Sequence, residues 1–264
     1  MEVSPGYVAV DGGSLYYERA GDGYPVVLIH GQLWDRRIWE PQFLPFAARQ
    51  DVIRYDARGH GLSDTPARPY SDLDDLERLL QELAIERCAL VGLAAGAALA
   101  LDFALAHPDT AEAVVAASPF LSGYVWQDRG IDALNEEVRA AVRGGDLRAA
   151  MAIELGVWTP LVGDNQTQAL IHDVAMDNVR VFTIDESLAR SSPPAVDRLG
   201  ELEAALMVIV GDEDVEEVPK IADLIGSRVP GTQTRVIAGA DQVVNVRKPQ
   251  KFNQLVLDFL GFRM

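Results

Sequence analysis

The sequence predicts an α/β fold, in which helices cover both faces of a mostly parallel, twisted sheet and one helical segment is inserted between strands. Over the first 118 residues, short apolar runs alternate with helical patterns. From about residue 120 to 198, apolar residues recur at spacings of three and four, which is typical of helices. After residue 199 the alternation resumes. A chain of 264 residues, 48% of them hydrophobic, can bury one large core.

The elements are predicted in order from these patterns. The amphipathic opening from Gly6 to Arg19 predicts a hairpin that turns at Asp11-Gly12-Gly13, because Asp-Gly suits a tight turn. Apolar runs predict strands at 26–29, 51–55, 87–91, 113–117, 205–210 and 234–237. Helices are predicted at 39–48, 72–83, 95–106, 217–225 and 249–260, and within the insertion at 132–142, 147–157 and 166–179. We therefore expect a core formed by residues 1–118 and 199–264, with a helical insertion at 119–198.

The most informative motif is a turn that lacks its usual side chain. Val91-Gly92-Leu93-Ala94-Ala95-Gly96 has the frame of a nucleophile elbow, G-x-S-x-G, with alanine at the position of the serine. An apolar strand precedes the frame and an alanine-rich helix follows it, which is the strand-turn-helix context that the motif requires. The sequence therefore excludes an acyl-serine intermediate at residue 94.

Four further segments extend the motif into a family resemblance. They are His30-Gly31-Gln32, the run from Tyr55 to Asp64 that contains Arg58-Gly59-His60-Gly61, Gly211-Asp212-Glu213-Asp214, and the run from Gly239 to Asn245. With the elbow frame, they make the chain resemble the α/β-hydrolase family over nearly its whole length. The closest similarity is to the branch of 3-oxoadipate enol-lactonases, small esterases and C–C hydrolases. The resemblance implies the α/β-hydrolase fold, with residues 119–198 as its cap.

The resemblance also shows where the chain departs from the family's Ser-acid-His triad. It places Ala94 at the serine, Asp214 at the acid and Gln242 at the histidine. An amide side chain cannot accept a proton as an imidazole does, and no histidine follows Asp214 in the chain. Losing the serine or the histidine of such a triad costs on the order of 10⁶ in kcat. A conventional serine-hydrolase mechanism is therefore disfavoured.

Other parts of the family's site remain. The resemblance implies an oxyanion hole formed by the backbone amides of Gln32 and Ala95, which survive the loss of side chains. The Gln32 side chain either binds a substrate carbonyl or lies on the loop surface. For Asp214 two interpretations stay open: Gln242 donates an amide N–H to it, or Asp214 or the neighbouring Asp241 acts as a general acid or base.

Two more residues are candidates for contact with a ligand. Ser118 ends a predicted strand, at the carboxyl edge of the sheet where ligand sites lie in such folds, although a loop-capping role is the simpler interpretation. Trp126 is the first choice among cap residues that could line an apolar pocket, the others being Tyr124, Trp158, His172 and Phe182. Helical aromatic residues also commonly serve only to pack a core.

Composition and net charge limit the classes of partner and the cellular setting that we expect for this chain. A net charge of −17 argues against binding to nucleic acid or to an anionic membrane surface. No apolar stretch approaches the roughly 18 residues of a membrane span, and the first residues lack the basic-then-apolar pattern of a secretory signal. The single cysteine, Cys88, lies in an apolar strand and is expected in the core. We expect a cytoplasmic monomer or homodimer that uses no metal or cofactor.

Three functions remain open. The first is a cofactor-free, non-hydrolytic cyclase, lyase or isomerase acting on a small apolar carbonyl or polyketide-like compound held between core and cap. The second is a non-catalytic pseudohydrolase that binds a ligand or a partner. The third is an ester or lactone hydrolase that works through a directed water or another hydroxyl, or whose serine was exchanged for alanine in the laboratory. Gln242 argues against such an exchange, because one substitution is enough to trap a ligand.

Overall fold

The computed structural model describes residues 2–261 and confirms the predicted fold class. Eight strands form one sheet in the order β1-β2-β4-β3-β5-β6-β7-β8. β1 and β2 form an antiparallel hairpin, β2 pairs antiparallel with β4, and the other pairings are parallel. The strands are Val3–Val10 (β1), Gly13–Ala20 (β2), Pro25–Ile29 (β3), Asp51–Tyr55 (β4), Cys88–Leu93 (β5), Ala111–Ala117 (β6), Ala205–Gly211 (β7) and Gln233–Ile237 (β8).

Nine α-helices are assigned within the described residues. Those packed around the sheet are Glu40–Ala47 (α1), Asp72–Glu82 (α2), Ala95–Ala106 (α3), Glu217–Arg228 (α7), Val244–Arg247 (α8) and Pro249–Gly261 (α9). Those between β6 and β7 are Arg129–Arg143 (α4), Leu147–Trp158 (α5) and Asn165–Asp177 (α6). The predicted helix at 39–48 begins one residue later, after a 3-10 turn at Arg36–Trp39, because Pro41 favours the first turn of an α-helix.

The burial of the central strands explains why the sequence pattern predicted them. Every residue of β4 and β5 is buried, since helices cover both faces of the sheet. β5 is a continuous apolar run, whereas β4 also contains the ion-paired Asp51 and Arg54. Cys88 is fully buried at the start of β5, as expected. Three residues of the edge strand β8 are exposed. The carboxyl ends of the parallel strands therefore meet at one edge of a rigid, dry sheet, and this edge carries the site.

The segment between β6 and β7 contains α4 to α6 followed by four 3-10 turns, so the helical insertion is present where the sequence placed it. Its exact limits, 119–198, remain a prediction. Polar side chains fasten it to the core. The indole of Trp34 donates a hydrogen bond to Ile171 O (3.1 Å), and the amide of Asn178 donates to the carboxylate of Asp35 (2.9 Å). The insertion is thus fixed above the His30-Gly31-Gln32 loop. None of the helices in residues 2–261 is long and apolar enough to cross a membrane.

Candidate active site

The turn at Ala94 keeps the backbone geometry of an elbow. Ala94 lies between β5 and α3 with φ 51° and ψ −112°, in a region that side chains rarely adopt. Strand and helix meet so closely that a Cβ at Gly92 would stand 2.2 Å from Gly96 O, and a Cβ at Gly96 would stand 2.3 Å from Ile29 O. The glycines are therefore required by packing, and the strained backbone costs about 1–3 kcal/mol that the surrounding structure must offset.

The two amides predicted as an oxyanion hole are unoccupied donors. Within residues 2–261, neither the N–H of Gln32 nor that of Ala95 donates a hydrogen bond. Both residues line the same pocket. Ala95 is the first residue of α3, where the helix dipole adds to the attraction for a negative oxygen. Two free amide donors at one pocket are of the kind that can stabilise a developing oxyanion or enolate.

Two buried histidines hold the Gln32 loop in place. His30 accepts a hydrogen bond from the Ala57 N–H at Nε2 (2.9 Å), and its Nδ1 lies 2.9 Å from Gly31 O. His60 Nε2 lies 2.7 Å from Gln32 O. Burial lowers the pKa of His30, and burial together with the neighbouring His30 lowers the pKa of His60 to about 4. Both rings are therefore neutral near pH 7 and position the backbone.

Asp214 faces Ser118. The hydroxyl of Ser118, fully buried at the end of β6, donates a hydrogen bond to Asp214 Oδ2 (2.7 Å), and the Gly211 N–H donates to the same oxygen (3.1 Å). The other oxygen, Oδ1, is buried without a partner. Burial raises the pKa of Asp214 to about 7 against these hydrogen bonds. Ser118 therefore hydrogen-bonds the carboxylate at the acid position, rather than capping its own loop.

The expected hydrogen bond from Gln242 to Asp214 is absent, and that interpretation was wrong. Gln242 is 2% exposed and its Nε2 is buried without a partner, like Asp214 Oδ1. The triad-equivalent positions therefore hold two unsatisfied polar atoms. Leaving a buried polar group unpaired costs about 1–3 kcal/mol of folding free energy. Unpaired groups of this kind are expected at a functional site rather than in a structural core.

Asp241 has a structural role in place of the predicted one. Its fully buried carboxylate accepts hydrogen bonds from Arg247 Nε (3.0 Å) and Nη2 (2.8 Å) and from the Leu161 N–H (3.2 Å). Arg247 also donates to Leu161 O (2.5 Å). This buried ion pair ties the segment after α5 to the core, and both carboxylate oxygens are occupied. Asp241 is not available as a substrate ligand or base in this geometry.

A pocket opens on the oxyanion side of Ala94, beneath the 3-10 turns that follow α6. Its volume is about 270 Å³. One side is formed by the Gly31-Gln32 loop and by the start of α3. The apolar lining residues are Ile29, Ala57, Leu99, Val181, Ile184 and Ala189. The polar lining side chains are His30, Gln32, Arg58, His60, Tyr70, Asp72 and Glu186. Asp214, Ser118 and Gln242 do not line it.

Trp126 lies outside this pocket and packs into an aromatic cluster. Its ring centroid is 5.3 Å from that of Phe120 and 5.9 Å from that of Trp158, both in edge-to-face geometry with Trp126. Tyr124 completes the cluster at 6.0 Å from Trp126. None of the five cap residues proposed as pocket lining takes that place. Core packing, the simpler interpretation, accounts for Trp126, Trp158 and Tyr124.

Sequence reasoning missed Asp72. This residue begins α2, is exposed and lines the pocket. Its carboxylate makes no hydrogen bond or ion pair within the described chain. Although the side chain has access to solvent, desolvation by the surrounding protein and the charge of Asp75 raise its pKa to about 6, against the lowering effect of Arg58. In the sequence, Ser71-Asp72 reads only as the start of a helix, so no local signal distinguishes this carboxylate from Asp74.

Among residues 2–261, no cluster of three or more His, Cys, Asp or Glu side chains is arranged to hold a metal ion.

Comparison with known proteins agrees with this architecture. A family model described as the alpha/beta hydrolase family matches residues 26–255. The structure of an enol-lactonase from Burkholderia xenovorans LB400 is similar, with a TM-score of 0.83, 22% identity, and coverage of 97% of this chain and 100% of that one.

Two curated relatives match over most of their length. A putative carbamate hydrolase of Azorhizobium caulinodans is 23% identical, covering 94% of this chain and 95% of the relative. A putative 2-succinyl-6-hydroxy-2,4-cyclohexadiene-1-carboxylate synthase of Bacillus subtilis is 24% identical, covering 89% of each.

Proposed function

Because this chain belongs to the alpha/beta hydrolase family, we propose that it binds a small carbonyl compound at the Gln32 and Ala95 amides and hydrolyses an ester or lactone bond without an acyl-serine. One observation carries the proposal: both amides are free and line a 270 Å³ pocket beside a strained turn that carries only a methyl group. The hydrolase and lactonase names of relatives favour hydrolysis over the cyclase, lyase or isomerase expected from the sequence.

The strain at Ala94 supports a role for the turn. A positive φ at alanine has no packing advantage of its own, and the next residue, Ala95, lines the pocket. Strain of this kind persists at sites where a fixed backbone direction is useful. One well-placed oxyanion donor is worth about 3 kcal/mol of transition-state stabilisation.

Asp72 is the carboxylate placed to activate water in this pocket. It takes a proton from a water molecule as the water oxygen forms a bond to the carbonyl carbon. The electron pair of the C=O bond moves to the oxygen held by the amides of Gln32 and Ala95. When the intermediate collapses, the leaving oxygen departs with its bonding pair and takes the proton from Asp72. A base with a pKa of about 6 is ionised at neutral pH and is suited to this transfer.

Asp214 is the alternative base, with a pKa of about 7 and a position behind Ala94. Its free oxygen is buried, so it requires a rearrangement to reach a ligand. With either carboxylate as the base, kcat/KM for hydrolysis of p-nitrophenyl acetate rises with pH through the raised pKa of that carboxylate and then levels off, so variants are needed to tell the two apart.

The test compares Asp72→Asn, Asp214→Asn and the matched control Asp74→Asn, which removes an exposed carboxylate from the same helix. We expect Asp72→Asn to lower kcat/KM by about 10²-fold or more. We expect Asp74→Asn to leave it within twofold. Hydrolysis unchanged in Asp72→Asn but lost in Asp214→Asn would transfer the role to Asp214, and hydrolysis unchanged in both would refute carboxylate-assisted hydrolysis.

The non-hydrolytic reaction is the second candidate, because the same two amides would hold an enolate oxygen while a carboxylate moves a proton at carbon. The name of the Bacillus subtilis relative includes a synthase activity, which is a reason to test for a non-hydrolytic reaction as well as for hydrolysis. Exchange of the α-protons of a methyl ketone for deuterium, followed by NMR, would favour this candidate. Binding of the ketone with neither exchange nor ester hydrolysis would favour a non-catalytic binding protein.

A further inference from the structure

The pocket carries two carboxylates that form no ion pair within the described protein, although the charge of Arg58 acts on one of them, Asp72. Asp72 and Glu186 both line it, both are exposed, and neither takes part in a hydrogen bond or ion pair of its side chain within residues 2–261. Ion pairs account for many of the other acidic residues near the sheet edge, such as Asp35 and Asp56. The two free carboxylates are therefore a property of this pocket.

These carboxylates are fixed on the same side of the pocket. Asp72 begins α2, and Glu186 begins the 3-10 turn Glu186–Leu188. Backbone hydrogen bonds join the two segments: the Tyr70 N–H donates to Leu188 O (2.9 Å), and the Arg190 N–H donates to Tyr70 O (2.8 Å). Asp72 lies two residues after Tyr70, so the negative charges are held together by the backbone.

The cationic side chain that lines the pocket, Arg58, is paired with Asp75, although its Nη1 is buried without a hydrogen-bond partner within residues 2–261. Arg58 is buried, with its side chain 1% exposed, and donates to the Asp75 carboxylate through Nε (2.5 Å) and Nη2 (2.8 Å). His60 is neutral near pH 7, since its pKa is lowered to about 4. The pocket is thus negative at neutral pH, and the net charge of −17 on the whole chain strengthens the repulsion of anions.

The other walls suit a carbonyl compound with an apolar middle. The free amides of Gln32 and Ala95 provide donors for the carbonyl oxygen, and Leu99, Val181 and Ile184 provide apolar contacts. We infer that this pocket takes a carbonyl compound bearing a cationic amine group, which pairs with Asp72 and Glu186, and that it rejects carboxylate-bearing analogues. This inference rests on the proposed function, because it assumes that the carbonyl group sits at the two amides.

Three methyl ketones of matched size test the inference by calorimetry: 4-oxopentyltrimethylammonium, the neutral 6,6-dimethylheptan-2-one and the anionic 5-oxohexanoate. Ketones resist hydrolysis, so binding is read without turnover. We expect the cation to bind at least about tenfold more tightly than the neutral ketone and the anion at least about tenfold more weakly, at low ionic strength. The differences should shrink in 0.5 M NaCl, because salt screens exposed charges.

Three variants test whether the charge selectivity of ketone binding comes from Asp72 and Glu186. Asp72→Asn and Glu186→Gln should each reduce the ratio of cation to anion affinity by about tenfold, while neutral-ketone binding stays within about twofold. Glu137→Gln, which removes an exposed carboxylate from α4, is the control and should leave the ratio unchanged. A reduction of equal size in all three variants would show a general field effect and would overturn the assignment.

The outcomes distinguish this inference from the proposed function. Equal binding of all three ketones would overturn the charge selectivity and leave the carbonyl site intact. Tighter binding of the anion would also overturn it. If none of the three ketones binds, the carbonyl site itself is refuted, and the inference fails with it.

Discussion

Restoring the two side chains that the family resemblance assigns to serine and histidine should raise esterase activity well above that of the wild-type protein, because it adds a route through an acyl-serine. The perturbation is the double substitution Ala94→Ser with Gln242→His. The elbow already has its strained backbone, and the amides of Gln32 and Ala95 are already free. Asp214 Oδ1 and Gln242 Nε2 both lack a partner, so a ring N–H at residue 242 would find an acceptor without displacing an existing bond.

The magnitude follows from these contacts. A complete triad is worth on the order of 10⁶ in kcat. A misplacement of about 1 Å, expected for side chains on a backbone not shaped for them, costs about 10²-fold. We therefore expect a gain of about 10⁴-fold in kcat/KM for p-nitrophenyl acetate. Each single variant should gain less than about tenfold, since nucleophile and base act as a unit.

The assay combines hydrolysis with labelling by a fluorophosphonate, which should modify residue 94 of the double variant and leave the wild-type protein unlabelled. Adding Asp214→Asn should remove most of the gain, because the imidazole loses its orienting carboxylate. The reasoning would be refuted by a double variant whose free energy of unfolding is within about 1 kcal/mol of wild type but whose kcat/KM rises less than tenfold. It would show that the site differs from a triad by more than two side chains.

Three further predictions concern stability and access to the pocket. Burial raises the pKa of Asp214 from 3.8 to about 7, so its contribution to folding is complete below about pH 4 and is lost as the pH rises through 7. The free energy of unfolding should therefore be compared between Asp214→Asn and wild type by urea titration at pH 4 and pH 8. Relative to wild type, the variant should be more stable at pH 8 than at pH 4 by up to about 4 kcal/mol. An equal difference at both pH values would contradict a buried carboxylate with a raised pKa. Arg247→Met should destabilise the protein by about 3–5 kcal/mol in denaturant titrations, because it leaves the Asp241 charge buried and unpaired, and adding Asp241→Asn should recover part of this loss. Leu99→Trp should fill the pocket and abolish binding of 6,6-dimethylheptan-2-one in calorimetry, while the melting temperature of the variant stays close to that of wild type. Retained binding would place the ligand elsewhere.

Much of the scaffold was predictable because its signals are local. The buried strand β5 is a continuous apolar run, and α3 was predicted with its observed limits, Ala95–Ala106, because an alanine-rich stretch follows a glycine-flanked turn. The absence of a hydroxyl at Ala94 needs no structure to be seen. Hairpin and helix limits elsewhere agreed within a few residues, as expected where periodicity fixes the type of element better than its ends.

The parts that failed depend on contacts distant in sequence. Asp241 was a candidate base until Arg247 and the Leu161 backbone, 80 residues away, were seen to occupy its carboxylate. Asp72 was missed because its role arises from the segment around Glu186, which reaches it through the Tyr70 backbone. No pattern along the chain states which carboxylates a fold will pair and which it will leave free.

The central claim is that the backbone amides of Gln32 and Ala95 bind a carbonyl oxygen. The most direct measurement is a ¹H–¹⁵N NMR titration with 6,6-dimethylheptan-2-one, which carries no charge and one acceptor. Saturation should move the amide protons of these two residues downfield, as a new hydrogen bond does, with smaller changes at Leu99 and Ile184. Binding that shifts the pocket walls but leaves both amides unchanged, or no binding at all, would contradict the account.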